Sequence, residues 1–130
     1  MAKIFIIDDE HPILKMYERT FTLSGFETET ASGGVEALAL LNSKKEKPDL
    51  ILLDVMMPEM NGIEFLERIK KEDDLKHIPV VILTNVGGNE GVNKRAMELG
   101  ADLYLEKVAH APAEIVEEAR KLLESKKLKS

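Results

Sequence analysis

The stretch LLDVMMPEMNG, residues 52–62, ends an unbroken apolar run in a single acid, Asp54. Two methionines, a proline and an Asn-Gly pair follow soon after it. An aspartate can end a buried strand merely because its short side chain starts turns well. The rest of the chain has to decide whether this carboxylate belongs only to a turn or to a chemical site.

On either side of this stretch, short apolar runs alternate with segments of helical periodicity. The strongest runs show no polar alternation, which is typical of strands in a parallel sheet covered by helices on both faces. The pattern therefore predicts an α/β fold with a five-stranded parallel sheet. Strands are predicted over residues 3–8, 27–31, 49–54, 79–84 and 102–105, and helices over residues 11–24, 34–42, 61–71, 89–99 and 112–126.

Local signals mark where several of these helices begin and end. Gly25 is well placed to end the first helix, because glycine readily adopts the left-handed conformation found there. Asn61 can cap the third helix, with Glu64 three residues further on. Pro112 stands at the first position of the last helix, where proline is tolerated. In the second helix, the apolar side chains predicted to share one side are Val35, Leu38 and Leu41.

The overall composition limits the class of protein. A chain of 130 residues with 44% apolar residues can build the core of one domain, predicted over residues 1–126 with a short basic tail at 127–130. The absence of cysteine excludes disulfides and thiolate chemistry. A net charge of -6 argues against direct nucleic-acid binding. No apolar run is long enough for a signal peptide or a membrane span, so we expect a cytoplasmic protein without membrane insertion.

Polar side chains stand where the predicted strands end. In an open parallel sheet, ligands bind beyond the carboxyl ends of the strands, so these side chains are candidates for a common site. Any one of them alone is readily explained as a turn residue or a solvated charge. The set comprises Asp8, Asp9 and Glu10 after the first strand, Asp54 after the third, Thr84 after the fourth and Lys107 after the fifth.

Carboxylates packed together repel one another unless a cation joins them. Hard carboxylate oxygens in a partly solvated cleft suit Mg²⁺. An ionised aspartate beside such a metal can act as a nucleophile and form an aspartyl phosphate. A lysine and a hydroxyl facing the same point could then receive the phosphoryl oxygens.

These residues together resemble the receiver domain of two-component response regulators, over essentially the whole chain. The matching features include the D-V-M-M-P-E-M-N-G signature that begins at Asp54. The resemblance implies a flavodoxin-like (βα)5 fold with strand order 2-1-3-4-5. It also implies Mg²⁺ as the cofactor and a phosphoacceptor function in signalling. The residues that carry it are Asp8, Asp9, Asp54, Thr84, Tyr104 and Lys107.

Carried over residue by residue, the resemblance implies that Asp54 accepts phosphate from a phosphohistidine. The donor would be a sensor histidine kinase or a histidine phosphotransfer protein. Asp9 and Asp54 would bind Mg²⁺ directly, with the backbone carbonyl of Met56 as a third ligand and Asp8 acting through a water. Lys107 would pair with the phosphoryl group.

The resemblance also implies a switch. Thr84 would turn to hydrogen-bond the phosphoryl group, and Tyr104 would rotate inward to fill the space that Thr84 leaves. This movement would change the surface formed by residues about 89–126, where a downstream protein target would bind.

The chain departs from the family pattern at three places. Val108 follows the lysine where proline is usual, and the loop over residues 108–111 is about one residue longer than the common pattern. Asn85 follows Thr84 where a small residue is common. We hypothesise that Asn85, together with Met56 and Val86, tunes the lifetime of the phosphorylated state by limiting access to it.

Two other functions fit parts of the pattern. A pseudo-receiver would serve only as an interaction scaffold, but the intact acid, hydroxyl and lysine set argues against it. A haloacid-dehalogenase-like phosphatase also forms an aspartyl phosphate, but it would need its nucleophile on the first strand with a second Asp two residues on. Glu10 occupies that second position and Asp54 would have no role. We therefore expect a protein that catalyses only its own phosphorylation and autodephosphorylation.

Overall fold

The computed structural model describes residues 2–43, 46–55, 57, 60–84 and 90–129. Within them, strands and helices alternate along the chain, as the apolar pattern predicts. The strands are β1 (Lys3–Ile7), β2 (Glu27–Ala31), β3 (Leu50–Asp54), β4 (Val80–Thr84) and β5 (Leu103–Glu106). The helices are α1 (His11–Leu23), α2 (Gly34–Ser43), α3 (Gly62–Lys70), α4 (Glu90–Glu98) and α5 (Pro112–Lys129).

The strands form one parallel sheet in the order β2-β1-β3-β4-β5. The predicted fold class and strand order are therefore confirmed. Every residue of β3 and β4 is buried, because both strands lie inside the sheet and are covered on both faces. Strand β2 lies at one edge of the sheet, and its ETETA sequence is correspondingly more exposed and polar.

Each face of the sheet carries its own hydrophobic cluster. The first, here the α1/α5 cluster, joins one set of alternate strand residues to apolar side chains of helices α1 and α5. The second joins the other set to helices α2, α3 and α4. Because successive strand side chains point to opposite faces, β3 sends Leu50 and Leu52 into the α1/α5 cluster and Ile51 and Leu53 into the other.

The predicted helix ends are also confirmed. Gly25, just after α1, has a φ of 96°, a left-handed conformation that a residue with a Cβ adopts only at a cost. The side chain of Asn61 accepts a hydrogen bond from the backbone N–H of Glu64 at 3.0 Å, so Asn61 caps α3. Helix α3 thus begins directly after the cap residue that the sequence indicated.

The side of α2 predicted from Val35, Leu38 and Leu41 is not the side that the helix buries. Val35 is more than half exposed, and the buried side of α2 is formed instead by Gly34, Ala37 and Leu41. Ala37 and Leu41 are four residues apart and so lie on one side, whereas Val35 is two residues before Ala37 and points away from it. At the other end of the chain, α5 continues to Lys129, through most of the segment predicted as a basic tail.

Candidate functional site

The three predicted acids meet at the carboxyl ends of β1 and β3. Asp8, Asp9 and Asp54 each offer a carboxylate oxygen, and these oxygens lie within 4.8 Å of one another. Asp54 continues the Leu50 and Leu52 series of β3, so alternation places it on the α1/α5 face. On β1, alternate residues Ile4 and Ile6 face the same helices, and Asp8 is the next residue in that alternation.

Lys107 reaches the acids from the end of β5. Its Nζ atom donates a hydrogen bond to Oδ2 of Asp8 at 2.8 Å and lies 3.8 Å from Oδ1 of Asp54. The Lys107 side chain is only 7% exposed. The backbone N–H of Lys107 also donates to the carbonyl of Thr84 at 2.8 Å, which fixes the end of β5 beside β4.

The unusual residue after this lysine does not displace it. Among the described residues no peptide bond is cis, so the bond between Lys107 and Val108 is trans. The Val108 side chain points into solvent. The absence of the usual proline therefore leaves the lysine within ion-pair distance of Asp8 and Asp54.

The hydrogen-bond donors around the acids serve Asp8 and Asp9 unequally. Asp8 is fully buried and has partners on both oxygens, since Oδ1 accepts from the backbone N–H of Glu10 at 2.9 Å and Oδ2 accepts from Lys107. Oδ1 of Asp9 is buried and has no hydrogen-bond partner among the described residues. A buried carboxylate oxygen without a donor carries a large desolvation cost, which a bound cation would remove. The cluster of carboxylate oxygens therefore fits a hard divalent cation such as Mg²⁺.

Thr84 and Tyr104, the two residues predicted to act as a switch, lie on the paired strands β4 and β5. Thr84 is buried, and its hydroxyl donates to the carbonyl of Leu105 at a long 3.4 Å. Tyr104 pairs with Ile82 across the β4–β5 register and is 46% exposed, so its ring lies outward. The predicted rotation of Tyr104 starts, in this structure, from the outward position.

Gly62, the last residue of the signature, packs tightly against the end of β3. The N–H of Gly62 donates to the carbonyl of Val55 at 3.0 Å. A Cβ at Gly62 would lie 2.6 Å from Cα of Val55 and 2.8 Å from the carbonyl oxygen of Asp54. Only glycine permits this approach, so Gly62 sets the distance between the start of α3 and the end of β3. Met57 and Met60 are buried and belong to the core.

Three predicted site residues lie outside the described residues. They are Met56, predicted as a backbone ligand, and Asn85 and Val86, predicted to tune access together with Met56. Their roles stay predictions.

Tyr17 was not predicted as part of the site. It is buried in the α1/α5 cluster. Burial raises the pKa of the Tyr17 phenol to about 12, with further contributions from the negative charges of Asp8 and Asp54. Helical spacing identifies Tyr17 as a core residue of α1, but no signal in the sequence shows that its hydroxyl lies within electrostatic reach of the acids.

Comparison with known proteins identifies the family. A family model described as the response regulator receiver domain matches residues 4–120. The chain belongs to this family. It is therefore similar to proteins of two-component signalling over nearly all of its length.

Two curated relatives show the range of the receiver family. The chain is 42% identical over 108 residues to the transcriptional regulatory protein CpxR homolog of Haemophilus influenzae, covering 82% of this chain and 44% of that protein. It is 33% identical over 109 residues to the polar-differentiation response regulator DivK of Brucella anthropi, covering 84% and 86%. The chain spans about half the length of the first curated relatives that it matches, 44% and 47%.

Solved receiver structures share the fold. A response regulator receiver domain protein from Clostridium thermocellum matches with a TM-score of 0.88 and 32% identity, covering 100% of both chains. Chemotaxis protein CheY4 of Vibrio cholerae matches with a TM-score of 0.83 and 30% identity, covering 93% of this chain and 98% of that one. In the described part of this receiver, no helix has both the length and the apolar character needed to cross a membrane.

Proposed function

We propose that this receiver is a phosphoacceptor switch, in which Asp54 takes a phosphoryl group from a phosphohistidine. The observation that supports it best is the convergence of three acids and one lysine at the carboxyl edge of the sheet. Oxygens of Asp8, Asp9 and Asp54 lie within 4.8 Å of one another, and the ammonium of Lys107 is 3.8 Å from Asp54. This arrangement provides both a nucleophile and a partner for negative charge.

In the proposed transfer, one carboxylate oxygen of Asp54 forms a bond to phosphorus. The bond from phosphorus to the imidazole nitrogen of the donor breaks, and that nitrogen keeps the electron pair and takes a proton from water. The product is an acyl phosphate on Asp54. Lys107, now bonded to Asp8 at 2.8 Å, is close enough to turn toward the new phosphoryl oxygens.

Asp9 and Asp54 would hold Mg²⁺ directly, and Asp8 would act through a water. The buried Oδ1 of Asp9, which has no donor among the described residues, supports this assignment. When bound, the ion offsets the charge on the phosphoryl oxygens during transfer. Strand β3 itself aligns the nucleophile, because Asp54 stands at the end of this fully buried strand.

The signal would leave through the surface of residues about 89–126. The hydroxyl of Thr84 would exchange the long bond to Leu105 for the phosphoryl group, and Tyr104 would turn inward. The proposed upstream partner is a sensor histidine kinase or a histidine phosphotransfer protein, and the downstream partner is a protein. The receiver would catalyse only its own phosphorylation and autodephosphorylation.

Intact mass after incubation with acetyl phosphate or phosphoramidate and Mg²⁺ tests the proposal. We expect a gain of one phosphoryl group that hydroxylamine removes, because acyl phosphates are cleaved by it. Asp54→Ala should abolish the gain. Asp74→Ala should keep the gain. Asp74 is an exposed acid between α3 and β4, at the amino ends of the strands, whereas Asp54 lies at their carboxyl ends.

Other outcomes would favour the other functions. No mass gain with any of these donors, in a folded protein, would favour an interaction scaffold. Steady turnover of phosphomonoesters would favour a phosphatase. A gain that survives Asp54→Ala would place the acceptor elsewhere and overturn the assignment of Asp54.

A further inference from the structure

Asn93, on α4, is a buried polar residue that the proposed mechanism does not use. Among the described residues, the other buried polar side chains are those of Asp8, Asp54 and Thr84, which belong to the acidic site or the switch. Oδ1 of Asn93 is buried and has no hydrogen-bond partner among the described residues. A buried amide oxygen without a donor carries an uncompensated desolvation cost, so it destabilises the packing that buries it.

The position of Asn93 on α4 shows which packing that is. Asn93 lies three residues before Ala96, and residues at this spacing share one side of a helix. Ala96 is fully buried in the cluster that α2, α3 and α4 form on the sheet. The amide of Asn93 therefore stands on the side of α4 that packs against this apolar cluster.

Helix α4 has little else to hold it there. Of its described side chains, only those of Asn93 and Ala96 are buried, and Val92 packs on the cluster partly buried. The other helices each bury at least one large apolar side chain: Tyr17 and Phe21 of α1, Leu41 of α2, Phe65 and Leu66 of α3, and Ile115 and Val116 of α5. Since an alanine buries only one methyl group, apolar burial holds α4 weakly.

The ion pairs of α4 do not compensate for this. Arg95 lies 3.8 Å from Glu67 of α3 and 3.8 Å from Glu98 of its own helix. All three side chains are partly exposed, and ion pairs of this kind contribute little to stability.

The end of α4, in contrast, is fixed by backbone hydrogen bonds. The N–H of Ala101 donates to the carbonyl of Ala96 at 3.0 Å, and the N–H of Asp102 donates to the carbonyl of Val80 at 2.9 Å. These bonds tie the end of the helix to β4 and to the start of β5. The first turns of α4, which carry Asn93, are therefore its weakly held part.

We propose that Asn93 is a destabilising element that keeps α4 weakly docked, so that the helix leaves its apolar cluster at low cost. This inference deepens the proposed function and rests on it for its purpose, because α4 begins the surface of residues about 89–126 through which the signal would leave. A weakly docked helix is moved by a smaller difference in free energy between the two phosphorylation states.

Hydrogen–deuterium exchange of the metal-free, unphosphorylated protein tests the docking of α4. Asn93→Leu replaces the amide with an apolar side chain, and we expect the α4 amides to exchange about tenfold more slowly than in wild type. Asn93→Val repeats the test with a smaller side chain whose helix propensity is close to that of asparagine. Asn42→Leu is the matched control, because it makes the same change at an exposed position of α2. Its α4 amides should exchange as in wild type.

The amides of α3 serve as a reference within the same experiment. They should keep their wild-type rates in the Asn93 variants, because α3 has its own large buried side chains. Equal slowing in α3 and α4 would show that α4 opens only when the whole domain unfolds, and would overturn the inference. It would also be overturned if neither Asn93 variant slowed exchange in α4, since the amide would then not be destabilising.

Phosphorylation gives a second readout, which a purely local effect on packing would not produce. With acetyl phosphate and Mg²⁺, the exchange of the α4 amides should change less in Asn93→Leu than in wild type, because leucine resists release of the helix. An equal change in the two proteins would overturn the regulatory role of Asn93.

The two proposals can fail separately, because the first exchange experiment requires no phosphoryl donor. A wild type that takes no phosphoryl group, with slowed α4 exchange in the Asn93 variants, would overturn the phosphoacceptor function and leave the docking role of Asn93 standing. A phosphorylated wild type whose Asn93 variants exchange as it does would overturn the role of Asn93 alone.

Discussion

The ammonium of Lys107 and the carboxylate of Asp8 form a 2.8 Å ion pair between residues 99 positions apart in the chain. Both side chains are almost completely buried. The contact forms although valine stands after Lys107 where proline is usual, and although the Lys107–Val108 peptide bond is trans. The β4–β5 pairing and the hydrogen bond from the Lys107 N–H to the Thr84 carbonyl hold the end of β5 beside β4, next to the acids.

Breaking this pair should destabilise the metal-free protein. Lys107→Met leaves the buried carboxylates of Asp8 and Asp54 without this compensating charge, so the free energy of unfolding at pH 7 should fall by about 3 kcal/mol. Lys121→Met is the control, because Lys121 is 72% exposed and pairs with Glu118 at 3.8 Å. Its effect should stay below about 0.5 kcal/mol. Urea denaturation measures both, and equal losses would contradict the prediction.

Neutralising Asp9 should stabilise the metal-free protein and remove its response to Mg²⁺. Asp9→Asn relieves repulsion among the three acids, so its free energy of unfolding should rise by about 1 kcal/mol. Wild type should gain stability as Mg²⁺ is added, because the ion binds the folded state. Thermal denaturation with and without Mg²⁺ checks both effects. Asp73→Asn is the control, because Asp73 is almost fully exposed. Its stability and its response to Mg²⁺ should equal those of wild type.

A methyl group at Gly62 should be poorly tolerated. Gly62→Ala would place a Cβ 2.6 Å from Cα of Val55, a backbone atom that cannot move without shifting the end of β3. We expect the free energy of unfolding to fall by about 2–3 kcal/mol, although alanine favours helices over glycine. Gly33→Ala meets nothing within 4 Å and should change stability by about 0.5 kcal/mol or less, or stabilise slightly. Similar denaturation midpoints for the two variants would refute the steric argument.

Tyr17 should make the stability of the protein fall at high pH. The unfolded phenol ionises near its ordinary pKa of 10.0, whereas the folded pKa is about 12. Between these values the folded state keeps a proton that the unfolded state has lost, so the free energy of unfolding decreases as pH rises. The contribution is fully present below pH 10 and amounts to about 2–3 kcal/mol at most.

Urea denaturation of wild type and Tyr17→Phe at several pH values between 8 and 11.5 checks this. Tyr104 and the lysines are present in both proteins, so their effects cancel in the difference. The wild-type curve should fall more steeply above pH 10. Parallel curves would show that the Tyr17 pKa is not raised.

Much of the fold follows from local pattern. The period of the apolar residues indicated each strand and helix to within about three residues, because alternation and helical spacing reflect which side chains are buried. The acids, Thr84 and Lys107 could be assigned to one site for the same reason. Carboxyl ends of parallel strands meet at one edge of the sheet, so residues after several strands must be neighbours.

The sequence by itself therefore determined the strand-helix alternation, the glycine and asparagine helix ends, and the set of residues at the edge of the sheet. Tertiary structure alone decided that Lys107 reaches Asp8 without the usual proline and that Val35 faces solvent. The physical reason is that periodicity reports whether a side chain is buried. Which group it meets there depends on the packing of segments far apart in the chain.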